Sequence, residues 1–340
     1  MDKRLIFAVA GSGKTSYLIS NLDLEKRFLL ITYTINNSRN LRRKVIEKFG
    51  YIPDNIKVCS YFSFLYSFCF KPFLLMKLGA KGVVFQENPN RRATGNSRYI
   101  SPKGWIYANR LAKFIEEKKI LGDVRSRLEK YYDVLMIDEV QDFGGHDFNF
   151  LAQIARSKLD MHFVGDFFQH TFDTSRDANV NKNLHNEFSD YKRNFISMGF
   201  DPDEDTLSHS YRCSPSVCKY VQDNLDISIE SHRDDITEIY ELSGWDDIEP
   251  ILQDDSIIKL FYQNSKKYPF FSRNWGDCKG EDHYVDVCVV LNDSTLKKFE
   301  KNEQASIAGL TKNKLYVALT RTRGRLFIIP EKSIKHLREN

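Results

Sequence analysis

The 340-residue chain has no apolar stretch long enough to span a bilayer, no closely spaced cysteine pair, no internal repeat and no low-complexity segment. Its most apolar run, residues 63–76, is short and carries Lys71, which predicts a buried helix rather than a membrane span. The first apolar run is too short for a secretory signal and leads straight into glycines. Six scattered cysteines (Cys59, Cys69, Cys213, Cys218, Cys278 and Cys288) without a CxxC pair argue against a zinc site and a disulfide framework, and for a reducing, cytoplasmic setting. Cys213 and Cys218, the nearest two, read as isolated core thiols. Net charge is also small, at +4, but that sum hides a segregation. Residues 71–130 hold 14 Lys and Arg against 5 Asp and Glu, whereas residues 223–256 hold 12 acidic residues against Arg233 alone. A basic segment beside an acidic one points to a polyanion meeting one part of the molecule; two solvated surfaces of opposite sign explain it equally well.

What is present is a globular composition, 41% hydrophobic and 28% charged, long enough for two or three domains. Short apolar runs read as buried parallel strands: "RLIFAVA", "RFLLITYT", "NIKVCSY", "YDVLMIDE", "DMHFVGD", "VDVCVVLN" and "RLFIIP". Helical patterns lie between many of them, as in "LRRKVIEKFG", "WIYANRLAKFIEEKK" and "HDFNFLAQIARSKL". This alternation predicts an α/β fold with ligands at the carboxyl ends of the strands. Residues 85–104, rich in Asn, Arg, Gly and Pro, read as a long basic loop.

Two stretches carry nucleotide chemistry. In "LIFAVAGSGKTSYLISNL" a strand pattern breaks at Gly11 and resumes as a helix after Lys14 and Thr15. Such a loop cradles phosphate oxygens on backbone N–H groups, which makes Ala10, Gly11, Ser12, Gly13, Lys14, Thr15 and Ser16 the ATP-binding candidates. Lys14 would reach the β- and γ-phosphates and Thr15 would ligate Mg²⁺. Ala8 stands where the strict pattern has its first glycine. In "VLMIDEVQD" an apolar strand ends in two carboxylates: Asp138 to hold Mg²⁺ and Glu139 to orient and deprotonate the attacking water.

Followed by "FVGDFFQ", "SHSYRCSP", "CKGED" and "LYVALTRTR", these stretches resemble the ordered motif set of superfamily 1 helicases, the UvrD/Rep-type branch in particular, from Ala8 to Arg323. The resemblance implies two RecA-like P-loop domains with parallel sheets and ATP in the cleft between them. The first would span 1–178, with a small helical and basic insertion at about 65–130, and the second 179–340, with a short acidic insert at about 223–256. It implies that Gln169 senses the γ-phosphate, that Arg212 and Arg321 stabilise charge on the transferring phosphoryl, and that Gly280 and Glu281 lie near the ATP ribose. Nucleic-acid contacts would fall to Tyr33 and Thr34 of "ITYTINNSRNLRRK", to Ser60 and Phe62 of "CSYFSFLYSF", to Phe172, and to His283 or Lys279. Phe64, Phe68 and Phe70 read as core.

Three departures shape the expected function. The family's adenine-reading glutamine upstream of the P-loop has no counterpart in residues 1–7. Thr174 and Ser175 replace the tryptophan of the family pattern and its neighbour, with Phe172 or Arg176 available to compensate. The segment between "SYRCSP" and "NWGDCKGED" is too short for the large UvrD-type insertion, and its acidic residues fit a solvated edge or a docking site for a protein. The expectation is an ATP- and Mg²⁺-dependent translocase or helicase on single-stranded DNA or single-/double-strand junctions. The alternative is a nucleotide-sensing regulatory subunit of a nuclease or anti-phage complex. A small-molecule phosphotransferase has no use for Gln141, Gln169 and paired arginines in this order.

Overall fold

The computed structural model describes residues 1–171 and 180–339. The fold is α/β with parallel sheets, and the chain divides into two compact units. One comprises Met1–Ile6, Thr15–Gly165 and the described part of Phe172–Asp203; the other comprises Phe7–Lys14, Asp166–Thr171 and the described part of Glu204–Asn340. Phe172, Thr174, Ser175 and Arg176 lie outside the described residues.

The larger sheet is built from β1 (Lys3–Ala8), β2 (Phe28–Thr32), β3 (Ile56–Ser60), β6 (Val134–Asp138), β7 (Asp160–Gly165) and β8 (Asp201–Leu207), in the order β3-β2-β6-β7-β1-β8. β2 runs parallel to both β3 and β6, and β6 to β7. The strands β2 and β6 are buried from end to end, as continuous apolar runs in a covered parallel sheet must be. The edge strand β3 alternates instead, with Ile56, Val58 and Ser60 buried and Lys57 exposed. β8, "DPDEDTL", carries almost no apolar side chain and was not foreseen; it is held by backbone pairing at a sheet edge.

After β1 comes α1 (Lys14–Ser20), and after β2 comes α2 (Ile35–Phe49). Thr34 starts α2 by accepting from the Asn37 N–H, and Gly50, at φ +82°, ends it. The apolar run at 63–76 is helical as its composition predicts, but wound as a π-helix over Phe64–Leu75 with Pro72 inside it. A two-stranded parallel sheet follows, β4 (Gly82–Val84) with β5 (Trp105–Tyr107), then helices Leu111–Glu117 and Leu121–Tyr131. The stretch "WIYANRLAKFIEEKK" therefore opens as a strand, because Ile106 and Tyr107 are buried where a partner backbone lies alongside.

The second sheet, all parallel, has the order β11-β15-β14-β12-β13, formed by β11 (Ile239–Glu241), β12 (Ile258–Phe261), β13 (Ser272–Asn274), β14 (Val287–Leu291) and β15 (Leu326–Pro330). A short pair, β9 (His209–Ser210) with β10 (Glu230–Ser231), adjoins the motif "SYRC". The acidic segment 223–256 supplies β10, β11 and helix Trp245–Gln253. That helix buries Ile248 and Leu252 in a core with Phe261, Val290 and Ile329. Among the described residues no helix is long and apolar enough to cross a membrane.

Candidate nucleotide site and nucleic-acid interface

In the second unit the P-loop backbone packs closely on the motif that follows β9. Gly11 and Gly13 take left-handed conformations, at φ +73° and +87°. A Cβ on Gly11 would stand 2.7 Å from the Arg212 Cβ and 2.8 Å from the Ser210 Oγ, so glycine is required there twice over. The Tyr211 N–H donates to the Gly11 carbonyl at 3.0 Å. The Ala10 N–H donates to the Tyr316 hydroxyl at 2.9 Å, and that hydroxyl donates to Asp166 Oδ2 at 3.2 Å. Gln169 Nε2 reaches the same carboxylate oxygen at 2.7 Å. One buried phenol, whose pKa burial holds well above its ordinary value, thus ties the P-loop to the Asp166–Gln169 pair. Lys14 is half-buried, and its side chain makes no hydrogen bond or ion pair among the described residues.

Arg212 and Arg321 meet in the same unit. Both are almost fully buried, at 6% and 1% exposure. Arg212 donates through one nitrogen to the Thr320 carbonyl at 3.0 Å and through another to Asp282. Its Nε is buried with no partner among the described residues. Arg321 donates to the Val317 carbonyl at 3.1 Å and the Glu281 carbonyl at 3.3 Å, and lies 3.7 Å from Asp282. Burial first, and the neighbouring Arg321 second, pull the Arg212 pKa down to about 10. The two cations share one carboxylate whose side chain is 60% exposed. The result is a buried excess of positive charge beside the glycine-rich loop at Gly11. Glu281 itself is turned to Tyr284 and Arg273, with Gly280 at φ +83° opening the turn, and His283 is exposed.

In the first unit β6 delivers Asp138, 4% exposed, 3.4 Å from the Thr15 hydroxyl. An alcohol and a carboxylate at this separation are the hard oxygen donors that suit Mg²⁺. Glu139 sits in the left-handed region at φ +59°, a conformation that costs a non-glycine residue about 1 kcal/mol. It is held there by the Asp142 N–H on its carbonyl, at 3.0 Å, and by Gln141 Nε2 on its carboxylate, at 2.5 Å. Gly165 lets Gln141 approach, since a Cβ there would fall 2.5 Å from Gln141 Oε1. The exposed Ser16 accepts from Lys44 at 3.0 Å.

Of the nucleic-acid candidates, Tyr33 is half-buried and stacks on Tyr61 at 6.3 Å, its phenol pushed up to about 12 chiefly by burial. Thr34 and Ser60 both cap helices, Ser60 by accepting from the Ser63 N–H. Phe62 is half-buried, 4.9 Å from the exposed Phe85 ring. Phe64 and Phe70 are core, while Phe68 stays partly open against Tyr132. Sequence reasoning missed Tyr316, Asp282 and Tyr211. All three stand inside the quoted motifs, but only tertiary contacts reveal their partners. Tyr211 is 60% exposed, lies on His232 at 4.0 Å, and keeps its ring 3.8 Å from the Cβ position of Gly13.

These sheets and their motif-bearing edges form an α/β fold similar to that of solved helicase structures. The arterivirus nonstructural protein 10 helicase in complex with DNA is similar at 16% identity and a TM-score of 0.52, over 96% of this chain and 60% of that one. A second arterivirus nonstructural protein 10 helicase structure matches at 14% identity and a TM-score of 0.52, over 96% and 59%. At such identities the likeness is one of fold, and this chain spans less than two thirds of those helicases. No protein-family model and no curated protein matches the sequence.

Proposed function

We propose that the chain is the ATP-hydrolysing motor core of a superfamily 1 helicase of UvrD/Rep type, moving along single-stranded DNA. The observation that carries this reading is the buried Arg212–Arg321 pair, under-compensated by Asp282 and packed against the Gly11 backbone. Two desolvated guanidinium groups are costly unless a multiply charged anion meets them, and a nucleoside triphosphate is such an anion. DNA as the polymer is supported by the ligand of one similar helicase and by the basic segment 71–130.

In this reading Lys14 and the amides of residues 10–16 hold the phosphates, and Thr15 and Asp138 hold Mg²⁺. The ion would supply positive charge against the β- and γ-phosphate oxygens. Glu139 takes a proton from water as its oxygen attacks the γ-phosphorus and ADP leaves. Gln169, fixed on Asp166, orients the reacting groups, and Arg212 and Arg321 stabilise the transferring phosphoryl. Gly280 and Glu281 face the ribose. Tyr33, Thr34, Ser60, Phe62 and His283 serve the strand.

The test is phosphate release from ATP with and without single-stranded DNA, alongside Glu139→Gln. Stimulation by the strand, lost in the variant, is the expected result; the variant should fall by about 10²–10⁴-fold, the usual worth of a positioned base. Hydrolysis indifferent to DNA would instead favour a nucleotide-sensing subunit that controls a partner such as a nuclease. The built-in position of the acidic segment, as edge strand and packed helix, speaks for the solvated-edge reading over a docking arm.

A further inference from the structure

A cavity of about 600 Å³ opens in the first unit beside the edge strand β3. The strand's alternation shapes it: Ile56 and Val58 are buried and take no part in the lining, whereas Lys57 and Cys59 line the cavity, joined by Ser60 at the strand's end. Leu29 stands opposite Lys57 in register and supplies the apolar floor. Arg39 and Arg42, one turn apart on α2, line the same cavity. Among the described residues no Asp or Glu lines it.

The charges in this cavity are unmet. Arg43, beside Arg42, pairs with Glu47, whereas Arg42 gives one nitrogen to the Val58 carbonyl at 2.9 Å. The side chains of Arg39 and Lys57 enter no hydrogen bond or ion pair among the described residues. The Cys59 thiol adds no negative charge, because burial holds its pKa up at about 12 despite Lys57 and Arg42. Three like charges around one cavity repel, and an anion relieves that repulsion. The remaining wall is aromatic, with Phe64, Phe68 and Tyr132, and carries the hydroxyls of Ser63 and Ser67. A flat ring fits such a wall, and the volume lies within the range of small-molecule sites, roughly 300–1,000 Å³.

We propose that this cavity binds a nucleoside phosphate, the phosphate on Arg39, Arg42 and Lys57 and the base against Phe64, Phe68 and Tyr132. It shares no residue with the P-loop, so it stands whether or not the motor reading does. The ligand is either a free nucleotide or the phosphorylated end of a strand. Lys14→Ala silences the P-loop, and in that background two probes separate the sources. One is a fluorescent ribose-labelled ADP; the other is a ten-nucleotide oligothymidine with a 5′-phosphate, compared with its 5′-hydroxyl form.

Retained binding of the labelled ADP, weakened about tenfold or more by Arg39→Ala with Lys57→Ala, identifies a free-nucleotide site; tenfold corresponds to 1.4 kcal/mol. Preference for the 5′-phosphorylated strand, lost in the same double variant, identifies a strand end. Ser67→Trp fills the cavity and spares every cation, so it must weaken the same ligand. Loss on removing the cations but not on filling the cavity overturns the proposal in favour of surface charge. Absence of both binding and discrimination overturns it outright. Hydrolysis by Lys14→Ala at the unmodified rate would sink the P-loop reading alone, because the cavity is read from the Arg39→Ala with Lys57→Ala and Ser67→Trp variants.

Discussion

Replacing Arg212 with methionine should leave the resting protein at least as stable while ending its chemistry. Arg212 is held at about 10, against an ordinary arginine value near 12.5. A base with a depressed pKa costs stability at every pH below about 10, and the cost fades only as pH rises from there toward the unfolded value. At 1.36 kcal/mol per unit that is about 3 kcal/mol throughout the neutral range. The side chain is 7% exposed, so solvent screening takes little away, while Asp282, at 60% exposure, returns little. Methionine removes the charge and keeps the length of the stem. It also strips the Thr320 carbonyl of a donor, at about 1–3 kcal/mol. The balance is neutral to about 2 kcal/mol stabilising, read from urea unfolding at pH 7.5 without nucleotide. Hydrolysis should fall by about 10³-fold or more, the worth of an arginine that meets the transferring phosphoryl. A variant that loses more than about 2 kcal/mol at rest would refute the reasoning, because the guanidinium would then be satisfied by the protein itself.

Three further outcomes follow from the same geometry. Tyr316→Phe leaves the Ala10 amide without its acceptor and should cost about 1–3 kcal/mol in urea unfolding, with slower hydrolysis; an unchanged midpoint would deny the phenol its linking role. Gly165→Ala drives a Cβ to 2.5 Å from Gln141 Oε1 and 2.8 Å from the Val140 Cγ1. A thermal melt should record a loss of about 1–3 kcal/mol, and hydrolysis should fall as Gln141 is pushed off Glu139; a silent variant would mean the turn yields freely. Tyr211→Ala removes the exposed ring beside Gly13 and should raise KM for ATP by roughly three- to tenfold, since such aromatic contacts are worth about 0.5–1.5 kcal/mol; a shift in kcat alone would exclude stacking.

Several elements were legible because local pattern alone sets them. All seven apolar runs became strands of five or six residues, too short and too rich in β-branched side chains for helices, and bounded by turn or polar residues. The glycine turns of the P-loop were legible for a similar reason: left-handed backbone asks for glycine wherever it occurs. β8 escaped because its acidic, mostly exposed side chains say nothing of a strand. β12 escaped because Lys259 interrupts its apolar run; the lysine is nonetheless fully buried, its ammonium satisfied by the Asp254 carbonyl at 2.6 Å.

The sequence by itself determined the parallel α/β class, the glycine-rich loop after β1, the acidic pair at the end of β6 and which arginines stand in motif context. These depend on residue types at fixed short spacings, which the chain carries wherever it goes. Tertiary structure alone decided that Asp282, rather than Glu281, bridges the two arginines, and that Tyr316 joins Ala10 to Asp166 across about 300 and 150 residues of chain. It also decided that three cations surround a cavity at β3 with no carboxylate among them. Such meetings are fixed by how sheets and helices pack, and the energy of a buried charge depends on which neighbours that packing supplies.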